Sequence, residues 1–286
     1  MDTILSTYLK TKNDDAVVQI KEATQRDGKY TEPFSIGYRE FDQAMMGGVR
    51  EGDLVVLTGI SGHGKTFLAQ NITIKLVNQD YACLWFTYEV IIDNVYAKFL
   101  EMGIAPDKVK IYTPKRLLSG SLKWIKAKIE ESVKMYQTKF IFIDHLDYIT
   151  PMEDDRKKNS ELMRRQIMME LKKLVVDLRI TIFLIAHVAK ARDKYGKERE
   201  IEMQDLGGSA GVFQSPDFVI CVRRAYDMVQ CPEAGAKMIN KSYIRLLKNR
   251  LTGELVEQTY QVVDNVICDI PLSANEIIQN VFKGTK

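Results

Sequence analysis

Cysteine and histidine are scarce in this sequence, and long apolar runs are missing. Four cysteines, Cys83, Cys221, Cys231 and Cys268, are scattered over 286 residues. None forms the C-x-x-C pair of a zinc or redox site, so a reduced compartment is expected. The three histidines, His63, His145 and His187, have no zinc-type spacing to one another or to cysteine. No Ser-His-Asp arrangement is evident either. No apolar run approaches the ~20 residues needed to cross a bilayer. Residues 1–15 lack a basic-then-apolar leader. No membrane contact and a cytoplasmic location are therefore expected. Charge of one sign is barely in excess: 41 Lys plus Arg against 38 Asp plus Glu give a net +3. Bulk charge does not mark a nucleic-acid binder, and any such contact must come from local patches. Hydrophobic residues at 45% and charged residues at 28% exclude a disordered tail or a collagen-like fibre. The length suffices to bury a full core without covalent staples.

What is present is an alternation of short apolar runs with amphipathic stretches, beginning at Asp53. The expected strands are Leu54–Thr58, Ala82–Thr87, Val109–Tyr112, Phe140–Asp144, Thr181–Ala186, Phe218–Val222 and Ser242–Leu247. The expected helices are Lys65–Asn78, Asp93–Met102, Leu122–Tyr136 and Glu161–Leu178. Continuously apolar strands alternating with amphipathic helices predict a mostly parallel sheet covered on both faces. The last third holds more strand than helix, which predicts an antiparallel edge. Residues 1–32 are polar and only weakly periodic and read as an arm; residues 33–286 read as one domain. Two polar loops, 151–159 and 189–204, each follow a strand expected to end at the carboxyl edge, where open α/β sheets bind ligands.

The segment GISGHGKT, residues Gly59, Ile60, Ser61, Gly62, His63, Gly64, Lys65 and Thr66, fits the phosphate-loop pattern at every fixed position. Glycine at 59 and 64 lets the backbone turn its N–H groups inward as an anion nest. Lys65 brings positive charge to the terminal phosphates, the Thr66 hydroxyl suits Mg²⁺, and the following helix points its positive end at the anion. The motif follows the strand LVVLT and opens a helix, as that mechanism requires. Nucleotide binding, with ATP and Mg²⁺, is the expectation.

Three further residues close core strands. Asp144 ends FIFID, and a carboxylate there is costly unless paired or bound to metal; it is the natural Mg²⁺ partner of Thr66. Glu89 follows CLWFTY and is either the carboxylate that polarises water or an ordinary surface Glu. His187 follows TIFLIA and is either catalytic or a structural hydrogen-bonding group. Near the end, SYIRLLKNRLTGELVEQTY reads as a hairpin turning at Thr252-Gly253, with Lys248 and Arg250 at its tip. They are either solvated charges or cations inserted into another subunit's nucleotide site. Arg224, just past a core strand, is a weaker candidate for the base or ribose.

Together these motifs resemble the motor domain of DnaB-type replicative DNA helicases, most like the phage and mitochondrial ring helicases, over about residues 34–264. FSIGYREFDQAMMGGVREGDLVVLTGISGHGKT is similar to the family's lead-in and phosphate loop, and WFTYEV to the strand carrying its catalytic glutamate. IFIDHLDYI resembles the Mg²⁺-aspartate strand, and FLIAHVAK the γ-phosphate sensor strand. QDLGGSAGVFQSPDFVICVRR resembles a segment with a DNA-binding loop, and LLKNRLTG the K-x-R-x-x-G hairpin that acts in trans. The resemblance implies an α/β, RecA-like P-loop NTPase core, with a mostly parallel twisted sheet flanked by helices and an antiparallel C-terminal hairpin. It implies Glu89 as general base, His187 as sensor, and Lys248 and Arg250 reaching a neighbour's ATP. Gly207 stands where the family usually has Arg, and Val90 where Met is common.

The implied activity is an ATP-driven, ring-forming homo-oligomer, hexameric by family likeness, that translocates 5′ to 3′ on single-stranded DNA and unwinds duplex in replication. A separate primase or loader is an implied partner. Lys190, Arg192, Lys194 and Lys197, together with Gly207, Gly208 and Ser209, are the expected DNA contacts, with Arg156, Lys157 and Lys158 in the earlier loop. The alternative is a RecA- or KaiC-like oligomeric ATPase acting in recombination or regulation without strand unwinding. A binding module without turnover is a third reading, against which the intact Lys65, Glu89, Asp144 and Arg250 set argues.

Overall fold

The structure is a computed structural model that describes residues 32–106, 109–117, 120–149, 160–188, 201–202, 210–231 and 235–269. The expected arm, residues 1–32, lies outside them except for Glu32. The same holds for both polar loops apart from Ile201 and Glu202.

One nine-stranded sheet organises the described residues, in the order β3-β2-β4-β5-β1-β6-β7-β8-β9. Its strands are β1 (Leu54–Gly59), β2 (Cys83–Thr87), β3 (Ile111–Tyr112), β4 (Phe140–Asp144), β5 (Thr181–His187), β6 (Phe218–Cys231), β7 (Gly235–Asn249), β8 (Glu257–Val263) and β9 (Val266–Asp269). From β3 to β6 every pairing is parallel, and from β6 to β9 every pairing is antiparallel. Helices cross over between the parallel strands: α1 (Arg39–Ala44) precedes them, followed by α2 (Lys65–Val77), α3 (Ile92–Glu101), α4 (Leu122–Tyr136), α5 (Ser160–Leu178) and the short α6 (Ala210–Gln214). The predicted helix bounds agree to within a residue at each end. The ribbon β6–β7 runs well beyond the apolar stretches that signalled it, where Arg223, Arg224, Asp227, Lys237 and Lys241 break up the apolar pattern: DMVQ pairs with AKMI.

The parallel strands are buried from end to end, and alternate residues serve two cores. On one face Val55, Leu57, Trp85, Phe140, Phe142 and Phe183 pack beneath α2 and α3. On the other, Leu54, Val56, Ile141, Ile143, Ile182 and Leu184 pack beneath α4 and α5. The aromatic face forms a ladder in register: Trp85 opposes Phe142, and Phe142 opposes Phe183. Their rings stack at centroid separations of 5.0 and 4.8 Å. Such pairs add to area burial and pin the register of three strands against slippage. The lead-in segment closes one end of this core. Phe34 pairs with Val49 and sets its ring edge-on against Tyr81 and Phe140. Gly48 sits at φ +120°, and a Cβ there would lie 2.1 Å from the Phe34 carbonyl oxygen, so the close approach excludes any side chain.

The amino edge of the sheet is tied by Asp217. Its carboxylate accepts from the Leu54 N–H at 2.8 Å and from Lys172 Nζ at 2.6 Å, and it lies 3.5 Å from Arg250 Nη1. Asp217 thus joins the starts of β1 and β6 to α5 and to the β7–β8 turn. Replacing Asp217 by Ala leaves the buried Leu54 N–H without its acceptor and the half-buried Lys172 ammonium with only the Gly52 carbonyl. Urea unfolding is expected to show a loss of about 2–4 kcal/mol. Asp217→Asn, which keeps an oxygen for Leu54 N–H, is expected to lose less.

Candidate nucleotide-binding site

The in-register parallel strands end level, so the first polar residues beyond them gather at one edge. Gly59 of β1 opposes His187 of β5, and Thr87 of β2 opposes Asp144 of β4. Gly59 takes φ +149°, and a Cβ there would meet the Val222 carbonyl oxygen at 2.4 Å. This glycine lets the phosphate loop leave β1 close against β6. Gly64 caps α2 in the left-handed region at φ +90°, which presents the helix N-terminus to the cleft. The cleft holds about 480 Å³ and is lined by Gly62, Gly64, Lys65, Thr66, Glu89 and His187, among others.

Lys65 is almost fully buried, and its ammonium donates to the Ile60 carbonyl at 3.1 Å. Burial pushes its pKa down, opposed by the carboxylates of Asp144 and Glu89. Asp144 is completely buried. Its Oδ2 accepts from the Thr66 hydroxyl at 2.7 Å, while its buried Oδ1 has no partner among the described residues. Burial raises its pKa, Glu89 raises it further, and the Thr66 bond opposes. An orphaned carboxylate oxygen beside a hydroxyl fits Mg²⁺, a hard cation that takes oxygen ligands. Bound there, Mg²⁺ would supply charge neutralisation to the phosphates.

Glu89 accepts a hydrogen bond from His145 Nε2 at 2.9 Å, and His187 Nε2 lies 3.9 Å from the same carboxylate oxygen. The two imidazole rings meet edge-on with centroids 4.2 Å apart. The Asp147 N–H donates to His145 Nδ1 at 3.3 Å, which assigns the neutral ring its proton on Nε2, facing Glu89. Asp147 in turn is held by Arg164 at 2.8 Å. Burial lowers the His187 pKa, and Lys65 and His145 lower it further. His187 is therefore a neutral imidazole at pH 7.

Of the expected residues, Ser61, Gly62, Gly64, Lys65 and Thr66 of the phosphate loop are brought to one edge with Asp144, Glu89 and His187. His63 instead lines a small separate recess with Cys221, Arg223, Tyr243 and Arg245. The Arg224 guanidinium stacks 4.8 Å over the Phe67 ring, and Phe67 is a wall of the cleft. His145 was not singled out from the sequence. The usable signal was its place immediately after Asp144, since strand alignment sets it beside the ends of β2 and β5.

Lys248 and Arg250 are not brought to this edge. Lys248 Nζ donates to the carbonyls of Phe213 and Gln214 at 3.0 and 2.7 Å, and Arg250 Nη2 donates to Gln214 O at 3.0 Å. Arg250 N–H also bonds Asp217 O, beside the start of β1. The six residues of β1 separate them from the chain's own phosphate loop, about 20 Å along the strand. The expected DNA contacts Lys190, Arg192, Lys194, Lys197, Gly207, Gly208 and Ser209 lie outside the described residues, as do Arg156 to Lys158.

A family described as ATPase: KaiC matches residues 34–206. Among curated proteins, the chain is similar to the DNA repair protein RadA of Streptococcus pneumoniae, 26% identical over 151 residues, which are 53% of this chain and 34% of that protein. It is also similar to RadA of Escherichia coli, 26% identical over 157 residues, 55% of this chain and 32% of that one. The chain thus spans about a third of the length of these relatives. Among solved structures, a DnaB-like replicative helicase, solved in a study of its interactions with primase, superposes with a TM-score of 0.69 at 15% identity, covering 90% of this chain and 67% of that one. A second solved structure, an ATPase domain, gives 0.69 at 16% identity, covering 90% and 98%. At these identities the likeness is one of fold.

His145→Ala removes the group that orients Glu89. ATP turnover is expected to fall about tenfold with KM for ATP nearly unchanged, since the phosphate loop is untouched. Steady-state kinetics checks the split. Lys65→Met removes a cation that disfavours protonated His187. The His187 titration midpoint, followed by NMR, is expected to rise while staying below the usual histidine value because burial persists.

Proposed function

The chain belongs to the KaiC family of ATPases, and from that premise we propose that it is a ring-forming, ATP-driven motor that moves on single-stranded DNA and separates duplex strands. The observation that carries this reading is the division of the catalytic groups between opposite edges of the sheet. Lys65, Thr66, Asp144, Glu89 and His187 stand at the carboxyl edge. Lys248 and Arg250 stand at the amino edge. A chain cannot fold its own cations onto its own phosphates across its core, so a complete site needs a second copy. In a ring, Lys65 holds the terminal phosphates, and Thr66 and Asp144 hold Mg²⁺. Glu89, fixed by His145, orients the attacking water. Arg250 and Lys248 of the neighbouring copy stabilise the charge developing on the transferred phosphoryl group.

His187 completes the scheme. As a neutral imidazole beside Glu89, it suits a hydrogen-bonding sensor of the γ-phosphate. It ends the strand that leads into the basic loop of Lys190, Arg192, Lys194 and Lys197, so loss of phosphate and movement of that loop are joined through one short piece of chain. Phosphate contacts from that loop would be sequence-independent and salt-sensitive. Translocation from 5′ to 3′, six subunits and a primase or loader partner are the family-like form of this proposal.

The likeness to RadA and the KaiC family match favour a second reading, an oligomeric RecA-fold ATPase in recombination or regulation without unwinding. The two readings part on DNA. For the motor, single-stranded DNA stimulates hydrolysis and tailed duplexes are separated. For the second reading, no strands separate.

Arg250→Ala is expected to lower stimulated hydrolysis by about 10³, and Lys65→Ala to abolish it. Mixing the two inactive variants is expected to restore part of the activity, because each supplies what the other lacks. Absence of recovery, or full hydrolysis by isolated monomers, would refute completion of the site between copies.

A further inference from the structure

We propose that Glu89, His145 and His187 form a site for a divalent transition-metal ion of the zinc class, and that its occupation switches hydrolysis off. The three residues come from the ends of β2, β4 and β5 and are remote in sequence, so no local spacing advertises them. Their candidate ligand atoms all lie within 4.8 Å of one another. His145 Nε2 and His187 Nε2 lie 2.9 and 3.9 Å from the same Glu89 oxygen. Tetrahedral coordination with bonds of about 2.0–2.2 Å sets ligand atoms about 3.3 Å apart. The observed separations bracket that value, so side-chain adjustments of about an ångström close the site.

The setting suits coordination in three further ways. The His145 side chain is 8% exposed, that of His187 28% and that of Glu89 39%, so the ligands are held by core strands yet open on the cleft. The open side leaves a fourth position for water. His145 also has an outer partner. Its Nδ1 lies 3.5 Å from the Asp147 carboxylate, which Arg164 fixes. With the ring proton on Nδ1 and directed at that carboxylate, the Nε2 lone pair is free for a metal, the arrangement common to metal-binding histidines. In this exchange the metal takes the place of the Nε2 proton now directed at Glu89; that proton leaves to solvent, one is taken up from solvent at Nδ1, and the bond from the Asp147 N–H is given up for the Asp147 carboxylate, so the ring's proton count is unchanged.

Two imidazole nitrogens and one carboxylate favour Zn²⁺, Co²⁺ or Ni²⁺ over Mg²⁺. The site is therefore distinct in preference from Thr66 and Asp144, whose oxygens suit Mg²⁺. A metal on Glu89 removes the lone pair that would accept a proton from water, and one on His187 fixes the ring. Inhibition rests on the role proposed for Glu89; metal binding does not.

The whole chain, free of nucleotide and in excess Mg²⁺, is titrated with Co²⁺. One equivalent is expected to bind, with the visible d–d absorption of a nitrogen/oxygen site, and Zn²⁺ is expected to displace it. His187→Gln, Glu89→Gln and His145→Ala, each checked for unchanged thermal unfolding, are expected to weaken binding tenfold or more. His187→Gln keeps the test decisive if His145→Ala does not fold. One equivalent of Zn²⁺ is expected to stop hydrolysis in wild-type protein. No stoichiometric Co²⁺ binding, equal binding in the variants that fold, or the charge-transfer absorption of a thiolate site would overturn the proposal. Hydrolysis without Co²⁺ binding sinks the metal site alone. Co²⁺ binding by a protein that never hydrolyses ATP sinks the reading of the catalytic site and leaves the metal site standing.

Discussion

A parallel sheet buried on both faces obliges its strands to stay apolar for their whole length, and every polar group must wait for the strand to end. In this chain β1, β2, β4 and β5 pair in register, so their ends arrive together. Gly59 opposes His187, and Thr87 opposes Asp144. Glu89, Asp144, His145 and His187 are crowded together by this rule, and the phosphate loop leaving β1 brings Lys65 among them. The crowding has an electrostatic cost. Burial disfavours charge on Asp144 and on Lys65 alike, and each partly compensates the other. An orphaned Asp144 oxygen remains. The aromatic ladder of Trp85, Phe142 and Phe183 holds the strands beneath this constellation.

The opposite edge answers to a different constraint. Antiparallel β7 returns along β6 and ends beside the start of β1, where Asp217 gathers Leu54 N–H, Lys172 and Arg250. This bonding is ordinary structural work, yet it fixes the hairpin tip in a defined place. Lys248, whose pKa burial and Arg250 push down, is held by two carbonyls at the end of α6. A cation parked on neutral carbonyls is easily redirected to an anion. The arrangement that stabilises the single chain therefore also presents its cations outward.

Much of this was legible in the sequence, for physical reasons that also set the limits. Strand and helix bounds were readable where burial is two-sided, since Phe140–Asp144 and Leu122–Tyr136 have no polar interruption or have a clear period. The phosphate loop was readable because phosphate chemistry demands glycine and lysine at fixed spacing. The length of the β6–β7 ribbon was not, because charged residues such as Arg223, Arg224, Asp227 and Lys237 break up the apolar pattern along its distal pairing. His145 was missed because its meaning lies in register: only when β2 and β4 are paired does a residue after Asp144 stand beside one after Tyr88. The reading that no histidine shows metal spacing was true of the sequence. It did not extend to space, where Glu89, His145 and His187 converge.

The same register argument connects the site to the rest of the molecule. Glu89 is held by His145, His145 by Asp147, and Asp147 by Arg164 on the first turns of α5. Tyr88 stacks on Tyr148 alongside. At the other end of α5, Lys172 bonds Asp217, and Asp217 lies against Arg250. A single helix thus spans the two edges, bearing on the support of Glu89 through Arg164 and on the support of Arg250 through Lys172. An α-helix of 19 residues is about 28 Å long, enough to reach from one edge of the sheet to the other. Displacement of Arg250 by a neighbour's phosphates would load the same helix that steadies Glu89. If copies assemble as proposed, that connection would couple successive sites through α5.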